Sequence, residues 1–342
     1  MRIAVISSTV FSVPLHQYGG LEAIAWERAK GLAAKGHKVT LIAPQGSTCP
    51  GCEIIEFGAP GQVDERRAYN SYWQKLTQFD CIVDDSWQKW AYIGRGEGWL
   101  KAPVLGVMHA PVNTMLNTLP PNVEKPCFVC ISKDQAAHFE ALFSHPAKVA
   151  YNGVDPDFYQ PLNVPRSDRF LFVARFSTIK GPSIAIDVCR NAGVGLDLVG
   201  DTSITNEPQY LEQCKRKCDG VQIKLVGPAS RGNCVWWMSQ SRGFLHLAKL
   251  FREPFGLAPV EAQLCGNPVL AWDHGALRET VRHGETGFLV KSEGEAVEYL
   301  RNGALDNLNR KACREWATLF DVNSMVNRYE ELCTEAIETG GW

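Results

Sequence analysis

Glu253 and Glu261 stand eight residues apart in the segment Leu247 to Ala262, where a loop containing Gly256 leads into a short helical pattern. Backbone amides at such a turn can bind anionic or hydroxylated groups, and two carboxylates can accept bonds from vicinal hydroxyls. The combination fits a nucleotide-sugar; a helix cap at Glu253 and a solvated side chain at Glu261 fit the same residues. Upstream, the apolar run Phe170 to Ala174 delivers Arg175, and Lys180-Gly181-Pro182 follows at a helix start. A guanidinium, an ammonium and a helix N-terminus together suit a diphosphate. Read alone, both cations are equally compatible with solvated surface charge. Gly19-Gly20 opens another helix, and paired glycines there let the backbone approach an anion or simply form a flexible turn. The pair is not part of a G-x-G-x-x-G fingerprint and no Walker lysine follows, which disfavours dinucleotide and P-loop readings.

Asp84, Asp85, Trp87 and Trp90 follow a strand pattern in the first half. Aromatic faces stack on sugars and carboxylates accept hydroxyl protons, so this turn is the expected acceptor site, with buried tryptophan packing as the alternative. Cys49-Pro50-Gly51-Cys52 and Cys127-Phe128-Val129-Cys130 invite a zinc reading. The second pair falls in a strand, where positions three apart face opposite ways and cannot readily chelate one ion. The first lies in a loop, where ordinary thiols are expected over a metal or a disulfide. Cys214 and Cys218 share helical spacing without an evident histidine partner. No metal and no cofactor are expected.

The elements that must position these residues alternate throughout the chain. Ile3 to Ser7, Lys38 to Ala43, Cys81 to Asp85, Val104 to His109 and Phe128 to Ser132 read as strands, separated by helical patterns at Gly20 to Lys35, Asp64 to Gln78 and Lys133 to Phe143. Turn formers crowd Tyr151 to Phe158, after which the alternation restarts with strands near Phe170 to Ala174, Leu196 to Val199, Gln222 to Val226, Phe244 to Leu247 and Pro268 to Ala271. The fold class is therefore α/β, with two doubly wound, parallel-sheet, Rossmann-like domains facing a cleft. Residues 1–157 form the first domain and 158–322 the second, and the helical tail 323–342 packs back on the first. Doubly wound sheets bind ligands outside the carboxyl ends of their strands, so function is expected at strand-to-helix turns.

The chain has 342 residues, 45% hydrophobic and 21% charged, which suits two globular domains and excludes wholesale disorder. A formal charge of −2 supplies no global basic field for polyphosphate backbones, so a nucleic-acid acceptor is disfavoured. Arg66-Arg67 and Lys215-Arg216-Lys217 read as solvated helix faces. No apolar run reaches the roughly 18 to 20 residues of a transmembrane helix. The start reads as a first strand rather than a secretory signal, and twelve cysteines without export signals suggest reduced thiols and a cytoplasmic location.

Several of these segments together resemble the family-4 retaining glycosyltransferases of the GT-B fold, in the family's order and across essentially the whole chain. Tyr18-Gly19-Gly20-Leu21-Glu22 is similar to their donor-phosphate loop, and Val107-Met108-His109-Ala110-Pro111 to their histidine-bearing turn. Tyr151 to Asp155 resembles the entry to the hinge, Arg175 with Lys180 the Arg-x4-Lys pair, and Glu253 to Glu261 the E-x7-E motif. Gly266 to Ala271, Gly275 to Glu279 and Gly284 to Val290 continue the series. Two departures stand out. Lys249-Leu250-Phe251-Arg252 occupies the place of a proline and serine before the first motif glutamate, and Val83-Asp84-Asp85-Ser86-Trp87 that of a His-Asp-His-like turn.

The resemblance implies roles. Arg175 and Lys180 would hold the donor diphosphate with amides of Gly19, Gly20, Phe255, Gly256 and Leu257, stabilising charge on the leaving group. Glu261 would accept the ribose hydroxyls and Glu253 the 3- or 4-hydroxyl of the sugar, while His109 would lie near the 6-hydroxyl and anomeric centre. A phosphate oxygen of the leaving group would take the acceptor's proton, with hinge motion around residues 153–165. The expected donor is UDP-glucose or a close analogue, and the acceptor a small molecule, glycan or lipid-linked hydroxyl. A nucleotide-sugar epimerase and a catalytically silent nucleotide-sugar-binding protein are the competing readings.

Overall fold

The computed structural model describes residues 1–15, 19–112, 123–202 and 207–342. Its chain divides into two compact units, 1–153 with 321–342, and 154–320.

The first unit begins β1 (Arg2–Ile6), α1 (Gly20–Ala34), β2 (Lys38–Ala43), β3 (Cys52–Glu56) and α2 (Glu65–Tyr72), the last running into a 3-10 turn over Trp73–Gln78. It continues with β4 (Cys81–Asp84), α3 (Ala91–Gly96), β5 (Val104–Met108), β6 (Cys127–Cys130), α4 (Lys133–Phe143) and β7 (Ala147–Val149). The seven strands are parallel in the order β3-β2-β1-β4-β5-β6-β7. With both faces covered, the central strands are buried almost throughout, which is why they read as continuous apolar runs rather than alternating ones.

The second unit holds β8 (Phe170–Val173), α5 (Pro182–Ala192), β9 (Leu196–Val199), α6 (Pro208–Arg216), β10 (Ile223–Gly227), α7 (Arg231–Gln240) and β11 (Phe244–His246). Then come α8 (Leu257–Leu264), β12 (Val269–Trp272), α9 (Leu277–Thr280), β13 (Gly287–Val290), α10 (Glu293–Arg301) and α11 (Arg310–Ala317). Its six parallel strands run β10-β9-β8-β11-β12-β13. In each sheet the strand order reverses once, between β1 and β4 and between β8 and β11. Outside the carboxyl ends of those pairs lies the place where doubly wound sheets accept ligands. Ser7 and Asp85 leave the first pair, and Arg175 and Leu247 the second.

Strands β3, β7 and β13 were not expected from the sequence. All three are sheet edges and only partly buried; β3 and β7 carry Glu53, Glu56 and Lys148 in place of an unbroken apolar run, whereas β13 is apolar but only four residues long.

The last helix, α12 (Val322–Thr339), belongs to the first unit, with Asp321 capping it through a 2.6 Å bond from the Ser324 amide. It lies against α1. Tyr329 covers the Arg28 guanidinium at 3.8 Å, and Lys35 and His37 pair with Glu330. The approach is close at Gly31, where an added Cβ would stand 2.3 Å from Val326 Cγ2. Gly31→Ala should therefore lower the melting temperature by several degrees, because overpacking costs about 1–3 kcal/mol and outweighs the helix propensity gained. Gly232→Ala in α7, where the added Cβ would meet nothing within 4 Å, should leave it unchanged or slightly raised. Calorimetry on the two variants checks the contrast.

Candidate functional site

In the second unit, β8 ends at Val173 and the chain passes through Ala174 to Arg175, which is half-buried at the strand end. Glu207 is close enough for the Arg175 charge to help hold its carboxyl down, after the bonds it accepts from Thr178. The chain then turns through Ser177–Lys180 into α5, with Gly181 at the helix boundary and Pro182 in its first turn, where a missing amide hydrogen costs nothing. Gly181 adopts φ +69°, and a Cβ there would lie 2.7 Å from the Leu247 carbonyl oxygen. Glycine thus lets the Lys180 turn close onto the end of β11.

That closure brings three titratable side chains together. Lys180 Nζ donates to Glu253 Oε2 at 2.6 Å, and His246 Nε2 lies 3.0 Å from the same oxygen. Lys180 also stands 4.3 Å from the centre of the Phe251 ring. Glu253 and His246 are buried, at 7% and 5% exposure. Burial acts to raise the Glu253 carboxyl, but the Lys180 charge and the His246 bond outweigh it and hold the group at about 2. Behind it, Ala276 N donates to the Glu253 carbonyl at 2.9 Å, and a Cβ on Gly275 would fall 2.6 Å from that carbonyl oxygen. The Gly275-Ala276 segment is thus a backbone buttress for Glu253.

Phe255, Gly256 and Leu257 form the entry to α8, with Gly256 at the helix boundary in the left-handed region. Four residues into the helix, half-buried Glu261 accepts a 2.8 Å bond from the Tyr159 hydroxyl. Burial raises its carboxyl, against the nearby Arg231 charge. The Arg231 guanidinium itself lies over the Phe158 and Tyr159 rings at 5.1 and 5.9 Å.

In the first unit, Gly19 bounds α1 and Gly20 is its first residue, while Tyr18 lies outside the described residues. Glu22 in the first turn is buried and accepts from Ser8 Oγ; burial raises its carboxyl. His109 leaves the end of β5, and its Nε2 stands 2.6 Å from Asp85 Oδ1. Arg28 Nη1 reaches both oxygens of the same carboxylate, at 2.7 and 2.5 Å. Against the burial that raises it, Arg28 and His109 hold Asp85 down at about 2. Burial lowers His109 and favours its neutral ring.

Asp84 and Asp85 correct the expectation of two carboxylates offered to an acceptor. Both are buried: Asp84 accepts from the Ser86 amide at 2.9 Å, and Asp85 is occupied by Arg28 and His109. Burial of the turn draws the carboxylates inward, and of that group Trp87 alone is exposed, at 43%. The carboxylate that braces this turn is Glu65, which accepts from the Trp87 and Gln88 amides at 2.7 and 2.5 Å. Ser7, Thr9, Glu65, Tyr72, Ser86 and Trp90 line a recess at the carboxyl ends of β1 and β4. Ser7 Oγ is buried there with no hydrogen-bond partner among the described residues.

Sequence reasoning missed His246, Tyr159, Arg28 and Glu65. His246 sits within an apolar strand, and Arg28 and Glu65 read as ordinary charges on helices, so only the Tyr159 aromatic beside the turn-rich segment carried any signal. All twelve cysteines are free, Cys49 and Cys52 included, and among the described residues no three His, Cys, Asp or Glu side chains gather as a metal site. Nor is any described helix long and apolar enough to cross a membrane.

Comparison with known proteins agrees with this architecture. Residues 18–158 match the family described as Glycosyltransferase Family 4, and residues 157–318 that described as Glycosyl transferases group 1. A D-inositol 3-phosphate glycosyltransferase of Jonesia denitrificans is 31% identical over 139 residues, 37% of this chain and 32% of that protein. The chain spans between 32% and 59% of the length of this and two other curated relatives. Among solved structures, sucrose-phosphate synthase from Thermosynechococcus elongatus superposes with a TM-score of 0.81 at 18% identity, over 98% of this chain and 99% of that one. Anabaena HepE in complex with UDP-glucose does so with 0.76 at 19% identity, over 98% and 100%. At that identity the likeness is one of fold, two parallel-sheet Rossmann-like domains of the GT-B type. One glycosyltransferase family model thus matches each half of the chain.

Proposed function

We propose that the protein is a retaining hexosyltransferase that moves a sugar from a nucleoside-diphosphate sugar, UDP-glucose or a close analogue, to a hydroxyl acceptor without a metal. The observation that carries this reading is the use of one oxygen of Glu253 by two partners. Lys180 and His246 both bond Oε2, which leaves Oε1 to accept a sugar hydroxyl while the carboxylate stays ionised. UDP-glucose bound to the structural neighbour HepE supports the donor class.

In this reading Arg175 and Lys180 hold the diphosphate, with amides of Gly19, Gly20, Phe255, Gly256 and Leu257. Lys180 exchanges its bond to Glu253 for the phosphate or shares itself between the two. Positive groups placed where the leaving diphosphate gains charge lower the barrier, which is the role a metal plays elsewhere. Glu253 takes the 3- or 4-hydroxyl, Glu261 exchanges Tyr159 for the ribose, and His109 faces the sugar. The departing phosphate oxygen accepts the acceptor's proton, so no side chain is assigned as general base.

Thermal-shift titration should show UDP-glucose raising the melting temperature, since a ligand at 100 times its Kd adds about 2.7 kcal/mol. GDP- and ADP-sugars serve as comparators, and no shift with any of the three would sink the donor assignment. Glu253→Gln should reduce transfer about 100-fold or more, read as release of UDP from UDP-glucose at a temperature where the variant still shows a cooperative melt, its melting temperature lowered by loss of the Lys180 pair.

The Glu253 charge also has a pH signature. A carboxyl held at about 2 contributes stability that is complete above its unfolded value of about 4.3 and is lost as pH falls through 2. Lys180→Met removes the largest of the groups that lower it. The midpoint of acid unfolding should then move up toward the ordinary carboxylate range, with His246→Ala giving a smaller move in the same direction. Acid unfolding followed by circular dichroism from pH 7 downward checks both.

A further inference from the structure

Arg28, Asp85 and His109 form a line of contacts through the interior of the first unit. Tyr329 on α12 covers the Arg28 guanidinium, Arg28 Nη1 grips both Asp85 oxygens, and Asp85 Oδ1 meets His109 Nε2 at 2.6 Å. The Arg28 and Asp85 side chains are 0% exposed, and that of His109 is 5% exposed. A fully buried ion pair adds little stability over apolar residues of the same volume, so stability alone does not account for its place beneath a strand-end histidine.

The chemistry of the carboxylate sets what the imidazole must be. Asp85, facing a guanidinium, is ionised and accepts only. The nitrogen that meets it must therefore carry a proton, which makes Nε2 the donor. Burial favours the neutral ring, and a neutral ring with its proton on Nε2 has a bare lone pair on Nδ1. Without the carboxylate the proton could reside on either nitrogen, and the ring could turn about its χ2 bond.

We propose that Asp85, clamped by Arg28, is a positioning residue that fixes His109 as its Nε2–H tautomer and so presents Nδ1 to the substrate as a hydrogen-bond acceptor for a sugar hydroxyl. This rests on the reading of His109 as a substrate-contacting group. Asp85 itself touches no substrate, since both of its oxygens are already engaged. Arg28 keeps the carboxylate from turning, and the α12 helix, through Tyr329, covers the far side of the guanidinium.

The test joins a spectroscopic readout to kinetics. In 15N-histidine-labelled wild type, the His109 resonance, assigned by its loss in His109→Ala, should report a neutral ring with its proton on Nε2. A proton on Nδ1, or a mixture of the two tautomers, overturns the proposal without any variant at Asp85. Asp85→Asn, whose amide can donate as well as accept, should release the tautomer and lower kcat for UDP release from UDP-glucose about 10- to 100-fold, with a smaller change in KM. Asp85→Glu should recover part of both signals. If Asp85→Asn does not fold, Arg28→Lys retains the charge but loses the two-oxygen grip, and should shift tautomer and kcat together. A folded Asp85→Asn that keeps both tautomer and kcat, while His109→Ala loses activity, overturns the positioning role alone. An unchanged kcat in His109→Ala removes the substrate-contacting role of His109 and the proposal with it.

Discussion

A carboxylate withdrawn from water stays ionised only if charge and hydrogen bonds replace what water supplied, and Glu253 meets that condition through two groups on one oxygen. Lys180 arrives from the turn after β8 and His246 from β11, so the site exists only because those strands are neighbours at the reversal point of the second sheet. Gly181 and Gly275 are both required by this arrangement. One lets the Lys180 turn reach the Leu247 carbonyl, and the other lets the chain press against the Glu253 backbone. The Gly275-Ala276 segment, downstream of the paired glutamates, thereby braces the site through the Glu253 backbone.

The first unit repeats the theme with a different outcome. Asp85 is also buried, also held at about 2, and also shared between a cation and an imidazole Nε2. The difference lies in lone pairs. Arg28 takes both Asp85 oxygens and His109 takes one again, whereas Lys180 and His246 converge on a single oxygen of Glu253. A carboxylate with both oxygens engaged orients its neighbours. One with an oxygen to spare can also bind. That distinction assigns Asp85 to positioning and Glu253 to the sugar in the reading proposed here.

The central strands and the restart of the alternation after Tyr151 to Phe158 were legible because buried parallel strands must be apolar along their length. Edge strands β3 and β7 were not, since much of their surface faces water and admits charge, and β13, though apolar, is only four residues long. Among the candidate residues, Lys180 and Glu253 were singled out at strand-to-helix turns, and the structure brings the two side chains into contact. Asp84 and Asp85 could be picked by type but not by role: adjacent carboxylates look alike in a sequence, and nothing local says that Arg28, on a helix far upstream, will bury one of them.

The sequence by itself determined the α/β alternation, the turns where chemistry could sit and the acidic and basic groups at those turns, because each of these is written in neighbouring residues. Only tertiary structure decided which group faces which. His246 on Glu253, Tyr159 on Glu261 and Tyr329 over Arg28 join residues 7, 102 and 301 positions apart. Such pairings are set by strand order and helix packing, which depend on the burial of the whole sheet rather than on any local pattern.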